Sequence, residues 1–178
     1  MKATGIVRRI DDLGRVVVPK EIRRTLRIRE GDPLEIFVDR EGEIILKKYS
    51  PILELEGIAK EYATSLSEET GMTVLFSDRD AFVSIAGTSG KKYKGSRIGA
   101  EFEKAMAGRK PVMEKHPEPK EMVKGEEMDL ISYMIVPIFS HGDVIGCVAA
   151  WNTEGAPMED EVGLSLRVAA LFIGKQME

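Results

Sequence analysis

The side chains best placed to do chemistry are the cations of the first 29 residues, where nine Lys and Arg stand against three Asp and Glu. A guanidinium offers a planar fork of N–H donors that can hold a phosphate or a guanine edge through two hydrogen bonds, where lysine offers only a point charge. The chemistry to expect is therefore anion binding. Other reactive groups are poorly arranged for catalysis. The loop GTSGKK at 87–92 has Ile85 where a phosphate-binding loop needs glycine and Lys92 where it needs Ser or Thr. His116 precedes a proline and His141 sits in an SHGD turn, neither at metal-ligand or catalytic spacing. The single cysteine, Cys147, lies in the apolar run VIGCVAAW and reads as a buried structural thiol. Carboxylates are plentiful, but in charged helices and loops where solubility explains them. No catalytic residue, metal site or cofactor is expected, and an enzyme is the least supported class.

The elements that must carry those cations can be read from pattern. TGIVRRI and RVVV are β-branched runs on either side of DDLG, a turn closed by glycine, which predicts a hairpin. Alternation puts Arg8 on the same face as Ile6 and Ile10, an arrangement better suited to strands shared between two chains than to a one-sided sheet. Pro19 suits a first helical position, and in KEIRRTL the pair Ile22 and Leu26 shares one helical face, with Arg23, Arg24 and Arg27 opposite. LEIFVD and EIILKK around the turn DREG predict a second hairpin. A domain of about 50 residues hides only about 60% of the surface its unfolded chain exposes, so dimerisation is the expected remedy.

Residues 2–49 as a whole resemble the AbrB-type swapped-hairpin DNA-binding module. The first hairpin, the GRVVVP junction, the RRTL helix and the LEIFVD and IILKKY strands occur in order. The resemblance implies an all-β dimeric barrel with a short helix, made by two chains interleaving their hairpins, with Arg8, Arg15, Arg23 and Arg24 facing double-stranded DNA. Lys2, Arg9, Lys20 and Arg27 are further candidates for phosphate contacts. With its long C-terminal extension the chain resembles AbrB-family transition-state regulators, which implies activation and repression of late-sporulation genes from a cytoplasmic, nucleoid-associated location.

Charge separates the chain into two parts. Residues 1–50 carry 12 Lys and Arg against 9 Asp and Glu, net +3, while residues 51–178 carry 14 against 21, net −7. Different partners are expected for the two. No apolar run is long enough to span a membrane, and the N-terminus lacks the apolar stretch of a signal peptide. Residues 51–70 predict a helix leading from the 1–50 domain into the second domain, 51–178. MTVLFSD, AFVSIAG, ISYMIVPIF and DVIGCVAAW predict strands, and GAEFEKAMAG and MEDEVGLSLRVAALFIGKQM predict helices. This order resembles an α+β GAF domain built on an antiparallel sheet, which implies a small-molecule sensor of unidentified ligand. Met72, Met106, Met113, Met122, Met128 and Met134 read as core fillers more than pocket walls.

The last helix is apolar on two stripes. One holds Val162, Leu166, Ala169, Ala170 and Ile173, and Leu164, Val168, Leu171 and Phe172 widen it. Such a helix needs partners on two sides, so self-association through this domain, and with it a homotetramer, is expected. Two other readings stay open. An antitoxin would pair a similar DNA-binding module with a short toxin-wrapping tail, and a metabolite sensor would not touch DNA at all.

Overall fold

The computed structural model describes residues 4–88 and 90–177. The chain divides into two units, Met1–Tyr49 and Ser50–Glu178.

In the first unit, helix α1 (Lys20–Leu26) precedes strands β1 (Leu34–Val38) and β2 (Ile44–Lys48). The two strands form the expected antiparallel hairpin, with Leu34 opposite Lys48 and Val38 opposite Ile44. The earlier hairpin is present as a turn without a ladder. The backbone bonds at the turn are Asp11 N–H to the Arg15 carbonyl and Gly14 N–H to the Asp11 carbonyl, both 3.1 Å. An isolated two-stranded ribbon is marginal in water, and among the described residues no third strand or helix pairs with it. Pro19 is not the first helical residue: at φ −59° and ψ 149° it caps α1, and its carbonyl accepts the Arg23 N–H at 2.9 Å.

The second unit holds helices α2 (Pro51–Glu54), α3 (Glu56–Thr70), α4 (Gly90–Tyr93), α5 (Ala100–Gly108) and α6 (Asp160–Gln176). Its strands are β3 (Thr73–Ser77), β4 (Phe82–Ala86), β5 (Val112–Lys115), β6 (Lys120–Val123), β7 (Glu126–Met128), β8 (Ser132–Ser140) and β9 (Asp143–Asn152). Five strands make one antiparallel sheet in the order β4-β3-β9-β8-β5, and β6 and β7 pair as a separate ribbon. Strand alternation divides the core in two. Val74, Phe76, Met134, Val136, Ile138, Val148 and Ala150 face α2, α3 and α6, where Ile52, Ala59, Ala63, Leu166 and Ile173 meet them. Leu75, Tyr133, Ile135, Cys147, Ala149 and Trp151 face the opposite way, towards Phe102 and Ala105 of α5 and Met122 of β6. Because both faces are covered, β8 and β9 are apolar between their polar end residues.

Two expectations need adjustment. The helix predicted over 51–70 is interrupted at Leu55, where ψ rises to 15°, giving α2 and α3. The strands β5, β6 and β7 come from KPVMEKHPEPKEMVKGEEMD, whose charges conceal any alternation. Of the six methionines, Met72, Met122, Met128 and Met134 are buried and serve as core fillers, whereas Met113 is 36% exposed. Cys147 is fully buried, and burial pushes its thiol well above the ordinary range. His116 and His141 are exposed residues with φ of 52° and 48°.

Glycine spacing shows how tightly the sheet is closed. A Cβ on Gly146 would lie 2.0 Å from the Ser77 carbonyl oxygen, whereas one on Gly57, within α3, would meet nothing within 4 Å. The Gly146→Ala variant is expected to lose about 2 kcal/mol or more of stability through this backbone clash. Gly57→Ala, in contrast, should gain up to about 1 kcal/mol from helix propensity. Thermal denaturation of the two variants beside the native protein checks both signs.

Candidate nucleic-acid interface

The two hairpins of the first unit turn on the same device. In each, an aspartate uses one carboxylate oxygen to accept the backbone N–H groups two and four residues further on. Asp11 Oδ1 accepts from Leu13 at 3.0 Å and Arg15 at 2.8 Å, and Asp39 Oδ1 accepts from Glu41 at 3.0 Å and Glu43 at 2.9 Å. Both turns close with a glycine at positive φ, 73° at Gly14 and 84° at Gly42, where a side chain would be strained. The repeated pattern Asp-x-x-Gly-x is legible in DDLGR and DREGE, though its use is visible only in the hydrogen bonds.

The first turn adds something the second lacks. Asp11 Oδ2 accepts the Nε–H of Arg15 at 2.8 Å, while the Arg15 side chain stays 68% exposed. The Arg15 and Leu13 amides, with the guanidinium, hold the Asp11 carboxyl below its usual range, the Arg15 amide contributing most.

Helix α1 carries Arg23 and Arg24 on exposed positions. The helix buries none of its residues. Its end is tied by polar contacts instead. Arg27 adopts a left-handed conformation, φ 55°, its N–H bonding the Arg24 carbonyl at 3.3 Å while Ile28 N–H reaches back to Arg23 at 2.8 Å. Such a stop is usually made by glycine. Lys48 of β2 donates to the Arg27 carbonyl at 3.1 Å and pairs with Asp32 at 3.4 Å, and Asp32 also accepts the Arg29 N–H at 2.8 Å. An ammonium on the last carbonyls complements the negative end of the helix. Sequence reasoning did not single out Asp11, Asp32 or Lys48.

The expected site residues are thus distributed over three pieces of one unit. Arg8 and Arg9 lie on the arm before the first turn, Arg15 directly after it, and Lys20, Arg23 and Arg24 on α1, all exposed. Arg27 follows as the helix cap. Lys2 lies outside the described residues. Arg8, Arg23 and Arg24 make no ion pair with any described residue, so their guanidinium groups are free to meet a ligand. Arg15 alone of the four is held in advance.

In the second unit, the sheet face towards α5 is filled by fully buried Trp151, Tyr133 and Phe102, with Phe82 2% exposed. Tyr133 donates its hydroxyl to Glu114 at 2.8 Å, with Glu101 at 3.3 Å, and Lys104 and Lys120 pair with these carboxylates. Burial pushes the Tyr133 hydroxyl far up, and its hydrogen bond, with that of Lys120, holds Glu114 down. On the other face an open cleft of about 520 Å³ lies over Leu66, Met72 and Val162, rimmed by Glu69, Glu154 and Glu161. The lysine loop does not form a phosphate cradle, since the Lys92 ammonium is engaged by Glu126 and Tyr93, both at 2.8 Å.

A family model described as the C-terminal part of stage V sporulation protein T, a transcription factor, matches residues 54–178. Stage V sporulation protein T of Bacillus subtilis is 52% identical over 178 residues, covering 100% of this chain and 99% of that protein. The chain belongs to the stage V sporulation protein T family. Residues 7–54 also match the model for MazE, a bacterial antitoxin. The transition state regulatory protein AbrB of B. subtilis is 69% identical over 51 residues, which is 29% of this chain and 52% of AbrB. The first unit is therefore AbrB-type, and the second shares its fold with a GAF domain/HD domain protein of Geobacter sulfurreducens. That structure has a TM-score of 0.53 at 15% identity, covering 74% of this chain and 98% of the other, a likeness of fold alone.

The lowered Asp11 carboxyl sets the sign of a pH effect. A carboxylate depressed in the folded state contributes fully above its unfolded value, and the contribution is lost as pH falls through the folded one. The Leu13 and Arg15 amide resonances should therefore hold steady from pH 8 to 6 and move upfield only below the usual carboxylate range. An NMR pH titration checks this, and movement near neutrality would contradict it.

Proposed function

We propose that the protein is a DNA-binding transcription regulator of sporulation whose first unit works as a dimer. Two chains exchange their hairpins into one small barrel that presents Arg8, Arg15, Arg23 and Arg24 to duplex DNA. One observation carries this reading. Within 49 residues, Ile6, Val7, Ile10, Leu13, Val16, Val17, Leu26, Ile36, Phe37, Val38, Ile44 and Leu46 are all exposed in the single chain. So dense an apolar surface on a small unit marks a protein interface. Among the described residues the arms of the first hairpin form no ladder, so partner strands would satisfy their backbone groups. The same pairing would bring eight arginines onto one assembly, enough to grip a phosphate backbone.

The second unit is the regulatory and assembly half of this reading. Leu164, Val168, Leu171 and Phe172 of α6 are 56%, 55%, 61% and 45% exposed, while Val162, Leu166, Ala169, Ala170 and Ile173 are buried against the sheet. The outer stripe takes a second copy, linking dimers into a tetramer that holds DNA more tightly through multivalency. A small molecule bound by the GAF-like unit would bias that assembly. Regulation of both signs follows from where on a promoter such a tetramer sits. The protein works by binding, not by turnover, in the cytoplasm where the chromosome lies.

The MazE match raises the antitoxin alternative. Antitoxin tails fold on a toxin. Here residues 50–178 have two buried clusters of their own, which favours a folded regulatory domain.

Fluorescence anisotropy on an AT-rich duplex across salt concentrations tests the DNA reading. With eight phosphate contacts per dimer, the log–log slope should be about −7, and it should flatten when Arg8, Arg15, Arg23 and Arg24 are all changed to alanine. Absence of binding by the native protein at low salt would end the proposal. For assembly, the full-length Leu164→Glu/Leu171→Glu variant should sediment as a dimer where the native chain sediments as a tetramer. Identical sedimentation of the two would remove α6 from the interface.

A further inference from the structure

We infer that Asp11 is the positioning residue for Arg15, holding its guanidinium by Nε so that both Nη groups are presented to nucleic acid before contact is made. The inference rests on the reading of Arg15 as a DNA contact and names what orients it.

The two turns of the first unit supply an internal comparison. Asp11 and Asp39 make the same pair of backbone bonds through Oδ1. An asparagine carbonyl would serve both turns equally well, because only one acceptor oxygen is needed. The second oxygen is the difference. At Asp11 it accepts the Arg15 Nε–H at 2.8 Å, and at the matching place after Asp39 the chain has Glu43, with no guanidinium to hold. The same carboxylate also binds the Arg15 backbone N–H at 2.8 Å, so main chain and side chain of one residue are gripped by one group. Nε is the nitrogen that such a grip should use, since the remaining Nη pair forms the end of the fork that fits a phosphate or a guanine edge.

A bare charge argument points the other way. An acid on a surface that meets phosphates repels them, so a turn-forming residue there is better neutral. Retaining a carboxylate makes physical sense if it does something an amide cannot. Arginine has a long, rotamer-rich side chain, and ordering it in the free protein removes that loss from the binding step. The Asp11 side chain is 35% exposed and Arg15 68% exposed, so the pair adds little to stability and is free to act on binding.

The two roles predict opposite signs for Asp11→Asn in the full-length protein. That variant keeps the Oδ1 acceptor and puts an NH₂ group where Arg15 Nε–H was held. Positioning predicts an affinity for duplex DNA lower by about two- to tenfold, although a negative charge has been removed. In an Arg15→Ala background the same change should cause no further loss. Asp39→Asn, which removes an equal charge from a turn whose returning position holds Glu43 and no arginine, should leave binding unchanged or tighten it. Tighter or unchanged binding by Asp11→Asn overturns the inference, as does an undiminished loss in the Arg15→Ala background, which would trace the effect to the turn itself. If Arg15→Ala alone leaves affinity untouched, the reading of Arg15 as a DNA contact fails instead, and the two failures are distinguishable.

Discussion

Forty-nine residues folded alone leave twelve large apolar side chains in water, and the organisation of the rest of the first unit follows from that shortfall. Folding must offset the entropy of ordering each residue, and a ribbon of two strands with a seven-residue helix has too little enclosed surface to do so. Pro19 is the sole residue of the described part of this unit that is buried. What holds the single chain in shape is therefore local and polar: aspartates that wrap two turns, and a lysine that ties the end of α1 to β2. These contacts set the shape of the hairpins without satisfying their apolar surface, which remains available to a second chain. On the proposed reading dimerisation and DNA binding are one property, since a second chain that covered the apolar residues would also gather the arginines.

The second unit shows the opposite economy. Its sheet is covered on both faces, its central strands are buried along most of their length, and glycines sit where strands approach too closely for any side chain. It has enough chain to build its own core and leaves exposed one coherent apolar stripe, on α6. Charge follows the same division, net basic over residues 1–50 and net acidic over 51–178.

Much of this was legible in the residues. Turn chemistry in DREG, alternation in LEIFVD, and the apolar runs of β8 and β9 each correspond to an observed element, while DDLG gives its turn without the flanking strands. The two stripes of α6 separate as their spacing indicates, one against the sheet and one in solvent. Less legible were the ribbon β6–β7 and strand β5, where charged residues line short ladders and mask the period of two. The interruption at Leu55 carries no glycine or proline to announce it.

Composition and spacing by themselves determined that the chain has a basic, arginine-bearing part and an acidic, better-packed part, because charge and apolar period are properties of the covalent chain. The arginines that resemblance assigned to DNA are all exposed, as a polyanion contact requires. Only the tertiary structure decided which of them is held and by what. The bond from Arg15 to Asp11 depends on a turn that brings residues four apart into register, and the tie from Lys48 to the Arg27 carbonyl spans 21 positions. Contacts of that kind depend on backbone direction and side-chain rotamer, which a string of residue types does not encode one by one.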